Sequence, residues 1–157
     1  MNIIEKDPIS LMAEVMRMYN HILKDEMRHR DYRIAYHHLL KPLYEKDNVT
    51  QLDLVKSSDL KAPTVSYSLQ QMEGEGLIYR EADKKDARST RVHLTEEGRE
   101  IEEQIQILER NICGDFLKGI SKEKQEEIAE LLSEIYINAR RALEQPKTRR
   151  KYALKTK

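Results

Sequence analysis

The chain holds one cysteine, Cys113, in 157 residues. That excludes an intramolecular disulfide and suits a reducing cytoplasm. No run of about 18 apolar residues is present, which excludes a membrane-spanning helix. The N-terminus has no apolar signal core, because Glu5, Lys6 and Asp7 interrupt it at once. Only five Gly and four Pro are present, so long helices meet few interruptions. Also missing are a glycine-rich phosphate loop, a nucleophile–base pattern and an acidic metal cluster, so nothing points to an enzyme or a cofactor. The five histidines follow no Cys/His zinc spacing, and His37 and His38 lie about 100° apart on a helix, so no metal is expected.

Net charge is also lacking, with 28 basic and 28 acidic side chains, but the balance is uneven along the chain. Residues 1–48 carry 8 of each sign and residues 49–94 carry 7 of each. Residues 95–139 carry 5 basic and 12 acidic groups, and residues 140–157 carry 8 and 1. A neutral protein that binds DNA must gather its positive charge on one face.

Asp7-Pro8 is an N-cap followed by a first-turn proline. Ile9, Met12, Met16, Tyr19 and Leu23 then follow a three-four spacing that predicts a helix with one apolar stripe. A second helix is expected from near Asp31 to about Glu45, with Pro42 kinking it or ending it early. Thr50 and Asp53 have capping-box spacing at the start of a short helix. Pro63 opens the next, whose apolar side is Val65, Leu69 and Met72. Its outward positions, Thr64, Ser66, Tyr67, Gln70 and Gln71, are hydrogen-bonding side chains of the kind that reads base edges. Gly74 and Gly76 stop it.

Leu77-Ile-Tyr-Arg-Glu81 and Thr90-Arg-Val-His-Leu94 are short alternating runs on either side of a charged turn, which predicts a hairpin. Thr95 caps a long helix striped by Ile101, Ile105, Leu108, Ile112 and Phe116, with Cys113 expected as buried packing. Ser121 caps a last helix that Pro146 ends. The expected fold is mainly α with a small β-hairpin wing: a winged helix-turn-helix with a helical dimerisation region. The boundaries are an N-terminal dimerisation helix over 1–31, a DNA-binding domain over 32–100, C-terminal dimerisation helices over 101–145 and a basic, disordered tail over 146–157. The one-sided long helices predict a homodimer, which would set two recognition helices about one DNA turn apart.

Several of these strings together resemble the MarR family of transcription regulators. They are Thr50-Gln-Leu-Asp-Leu, Thr64-Val-Ser, Leu69-Gln-Gln-Met-Glu-Gly-Glu-Gly-Leu-Ile, Asp83-Lys-Lys-Asp-Ala-Arg and Val92-His-Leu-Thr-Glu-Glu-Gly98. The resemblance implies a homodimer that binds a palindromic operator on double-stranded DNA, acts as a repressor, and is released by a small aromatic or phenolic effector. By position it implies that Asp86 orients Arg88 and that Arg88 enters the minor groove, which attracts arginine where it is narrow. Family members that sense oxidation carry a cysteine in the first helix, and this chain has none there.

The residues expected at DNA are Pro63, Thr64, Ser66, Tyr67, Gln70, Lys84, Lys85 and Arg88. The alternatives are an exposed polar face for the helix residues and a salt bridge to Asp86 for Arg88. Met16, Tyr19, Tyr36 and His37 are candidates for a ligand pocket, with core and interface filling as the alternative. A different reading makes the winged helix a protein-interaction module without specific DNA binding.

Overall fold

The structure, a computed structural model, describes residues 7–30, 33–58, 60–84, 86 and 89–144. By contacts the chain divides into two compact units, residues 1–114 and 115–157. The first unit opens with α1 (Pro8–His29), where the Asp7 carboxylate accepts from the backbone N–H groups of Ile9 and Ser10. α2 (Ile34–Glu45) follows, then β1 (Val49–Thr50), α3 (Gln51–Ser57) and α4 (Ala62–Gly74). The wing strands β2 (Ile78–Ala82) and β3 (Thr90–Leu94) lead into α5 (Glu96–Phe116), and α6 (Lys122–Glu144) belongs to the second unit.

Two strands were expected and three are present, in the antiparallel order β1-β3-β2. The hairpin register pairs Ile78 with Leu94 and Ala82 with Thr90. β1 adds only two pairs, Val49 with Val92 and Thr50 with Arg91. Two residues carry no alternating pattern, so this edge could not be read locally.

The core joins Leu23 and Met27 of α1, Leu39, Leu40 and Leu43 of α2, Leu54 of α3, and Val65, Leu69 and Met72 of α4. Ile78, Val92 and Leu94 close it from the sheet, and Ile105 and Ile112 from α5. α2 keeps Pro42 inside it and ends only at Glu45. The leucines at 39, 40 and 43 are wholly buried, and that packing outweighs the one backbone bond proline removes.

Some expectations are corrected. Ile9 and Met16 of the α1 stripe are exposed in the single chain, whereas Leu23 is buried in the core together with Met27. Cys113 is exposed, because it follows Ile112 by one residue and turns about 100° away from the buried line. Of the glycines at the end of α4, only Gly76 takes a left-handed conformation, at φ +77°.

The entry to α5 is tightly built. Thr95 Oγ1 accepts from the Gly98 N–H at 3.1 Å and donates to the Gly76 carbonyl at 2.7 Å. A Cβ at Gly98 would lie 2.1 Å from the Leu77 carbonyl oxygen and 2.9 Å from Leu94 Cδ1. Gly98 is therefore a close-approach glycine that lets α5 rest on the end of the hairpin. Gly98→Ala is expected to lower unfolding free energy by about 3 kcal/mol, the upper end for one forced methyl group, as measured by urea denaturation.

Candidate nucleic-acid interface

The helix-turn-helix is set from its start. Thr50 Oγ1 accepts the Asp53 N–H at 3.1 Å, and Asp53 Oδ2 accepts the Thr50 N–H at 3.3 Å and the Thr50 hydroxyl at 2.7 Å. The hydroxyl and backbone donors of Thr50 hold the Asp53 carboxyl below its usual range. Leu54 anchors α3, and Val65, Ser68, Leu69 and Met72 are buried on α4 at three-four spacing. Pro63, Thr64, Ser66, Tyr67 and Gln70 are therefore exposed together on the opposite side, Tyr67 by 62%.

The wing turn is closed by its own backbone. The Asp83 N–H donates to the Ser89 carbonyl at 2.9 Å, and the Ser89 N–H to the Asp86 carbonyl at 2.8 Å. Asp86 is exposed and accepts the Ser89 hydroxyl at 3.0 Å. Lys84 is exposed on the same turn, while Lys85 and Arg88 lie outside the described residues.

Two acids that sequence reading passed over organise this region. Asp83 is 7% exposed, and its Oδ1 accepts the Asp86 N–H at 3.2 Å. Glu73 near the end of α4 receives Arg80 of β2, which ties helix to wing. Each sits one turn or hairpin away from its partner, a separation that periodicity alone does not flag.

The four pocket candidates do not form one group. Tyr19 and His37 meet at Glu109: the Tyr19 hydroxyl donates to Glu109 Oε1 at 2.9 Å, and His37 Nε2 lies 3.3 Å from the same oxygen. His37 is buried, with Nδ1 3.3 Å from Glu102 Oε2. Burial and the bond to Glu109 push the Tyr19 hydroxyl well above the ordinary phenol range.

Tyr36 turns elsewhere. Its hydroxyl donates to Glu75 Oε1 at 2.9 Å, and the Arg33 guanidinium lies 5.3 Å from its ring centre. It lines a cavity of about 190 Å³ with Arg30, Arg33, Leu40, Glu75, Leu77, Glu97, Ile101 and Ile105. His37 instead lines a second cavity of about 290 Å³, and Met16 is exposed. Among the described residues, no group of three or more His, Cys, Asp or Glu is placed to hold a metal ion.

Residues 34–90 match the model of the MarR family, and these residues run from α2 to the first residue of β3. Over this stretch the chain is similar to the MarR family. Among curated proteins it is similar to an uncharacterized HTH-type transcriptional regulator, YdgJ, of Bacillus subtilis (strain 168), with 30% identity over 100 residues. That match covers 64% of this chain and spans 61% of the relative. A MarR-family transcriptional regulator from Silicibacter pomeroyi shares 27% identity at a TM-score of 0.67, covering 82% of this chain and 86% of that one. MepR of S. aureus, in a structure of its complex with DNA, has the same fold at a TM-score of 0.71 and 24% identity, covering 85% of this chain and 99% of that one.

The Tyr36 contact has a pH consequence. Burial, chiefly, and then Glu75 raise its hydroxyl from 10.0 to about 12. The folded chain thus keeps a proton that the unfolded chain releases, so this stabilisation is complete below pH 10 and is lost as pH rises toward 12. Tyr36→Phe is expected to flatten the decline of stability across that alkaline window, read by urea denaturation at stepped pH.

Proposed function

We propose that this protein is a sequence-specific DNA-binding transcriptional regulator that represses its genes as a homodimer on a palindromic operator. The observation that carries this reading is the polar face of α4, from Pro63 to Gln70, held outward by a fully buried opposite face and followed by a wing. Tyr67 and Gln70 read base edges in the major groove, Thr64 and Ser66 meet base edges or phosphate, and Lys84 and Lys85 lie near the backbone. Arg88, oriented by Asp86, enters the minor groove. The likeness to MepR, whose structure was solved with DNA, supports the same use of the fold. The reading head is residues 32–100, and the dimer forms through 1–31 and 101–145.

The dimer assignment draws on apolar side chains left in water within one chain. Ile9, Val15, Met16 and Met18 of α1 are exposed, as are Leu131, Tyr136 and Leu143 of α6, which has no buried residue. Faces of that kind are covered in assemblies.

The effector reading rests on the cavity beside Tyr36. A space of about 150 Å³ is enough for a benzene ring in a protein interior. At about 190 Å³, and lined by Arg30, Arg33 and Tyr36 together with Glu75 and Glu97, this cavity has room for a one-ring aromatic acid or phenol. An occupant would press on Glu75 at the end of α4 and so shift the reading heads.

Selection of genomic fragments by the full chain tests the core of this proposal. The native protein is expected to enrich a palindrome and Arg88→Ala to lose it, while Gln70→Ala relaxes the preference at one base position by about 1–3 kcal/mol. No enrichment even at low salt would sink the DNA reading and leave a protein-interaction module. On the selected fragment, benzoate is expected to weaken binding, and Arg33→Gln to blunt that response.

A further inference from the structure

Arg91 sits on β3 opposite Thr50 of β1 and Glu81 of β2. Its guanidinium is a clamp between two segments far apart in the chain. Nε donates to Asp83 Oδ2 at 2.5 Å. Nη1 donates to the Asn48 carbonyl at 2.8 Å and reaches Asn48 Oδ1 at 3.4 Å. Asp83 is the buried acid whose other oxygen holds the Asp86 amide, so it is the root of the wing turn. Asn48 takes a left-handed conformation at φ 60° immediately before β1 and three residues before α3 begins. One side chain therefore fastens the wing root to the entry of the helix-turn-helix. The ladder joining these two parts has only two residue pairs, so it does little to fix their angle alone.

We infer that Arg91 is a positioning residue for DNA reading: it sets the reach of the wing relative to α4 through Asp83 and Asn48 rather than by touching DNA. This rests on the reading that α4 and the wing engage one duplex. Two contacts on one rigid duplex bind tightly when their separation is fixed in advance, because no ordering cost is then met on binding. The planar guanidinium fork matches two acceptors at once, and a lysine ammonium does not. The geometry thus separates shape from charge: lysine keeps the charge at 91 and loses the clamp.

The test uses the full chain with Arg91→Lys, Arg91→Gln, Asp83→Asn and the double variant. In the free protein, amide exchange at Asp86 and Ser89 is expected to rise in the single variants while α4 amides and the thermal midpoint hold. On the selected fragment, Arg91→Lys and Arg91→Gln are each expected to weaken binding about tenfold, within the range for residues that act without contacting the ligand. The double variant Arg91→Gln with Asp83→Asn should be no weaker than either single variant, because both remove one clamp.

Native-like binding by Arg91→Lys would make the role one of charge, and additive losses in the double variant would place Arg91 on DNA. Either result overturns the inference. So does unchanged amide exchange at the wing, or a drop in thermal midpoint that accounts for the lost binding. Failure of the native chain to bind any duplex overturns the DNA reading itself. Wing-amide exchange needs no DNA, so the two failures are distinguishable.

Discussion

Burial of one side of α4 sets the geometry on which the rest depends. Val65, Leu69 and Met72 are closed off by the leucines of α2, by Leu54 of α3 and by Ile78 and Val92 of the sheet. Each such side chain loses a large transfer energy if turned to water, so α4 cannot rotate about its axis. Its other side is then fixed as the exposed one, and a row of Thr, Ser, Tyr and Gln becomes a surface at a known place. The capping box at Thr50 and the left-handed Gly76 fix where the two short helices start and stop, so the row is also fixed along its length.

The wing is rooted in the core by Ile78, Val92 and Leu94 and is directed by charged pairs. Glu73 receives Arg80 and Asp83 receives Arg91, while beside the wing Glu75 at the end of α4 receives Tyr36 and Arg33 from the start of α2. Apart from the buried Asp83 and Tyr36, the groups in these pairs are partly exposed, where a single ion pair adds little to overall stability. What they do well is direction, since a guanidinium fork accepts few orientations of its partner. A neutral reading head can thus place a few cations accurately instead of relying on a strong overall field.

A buried polar group joins α1, α2 and α5. His37 lies between Glu102 and Glu109, and Tyr19 and Lys41 close on Glu109 from either side. A buried carboxylate stripped of its partners is costly, so these residues resist sliding of α2 against α5. The cavity beside His37 shares His37 and Lys41 with this group, and the one beside Tyr36 is lined by Ile101 and Ile105 of α5.

Much of this was legible in the sequence. Helix order, the Thr50–Asp53 capping box, the buried and exposed sides of α4 and the β3 run at Thr90–Leu94 follow from periodicity and cap chemistry, both of which act over a few residues. The same local logic named the polar face of α4 as the exposed one. It failed where a long-range contact decided the outcome. β1 was missed because its only signal is its pairing with β3; Cys113 was placed inward because which helical line of α5 is buried depends on its partners. Asp83 was passed over because only the fold brings Arg91 to it. The sequence by itself determined the elements and their amphipathic faces, since hydrogen-bond capping and the periods of helix and strand are local. The tertiary structure alone decided which acid meets which base and which apolar face stays open, since those outcomes depend on residues of different elements, some tens of positions apart, coming within a few ångströms.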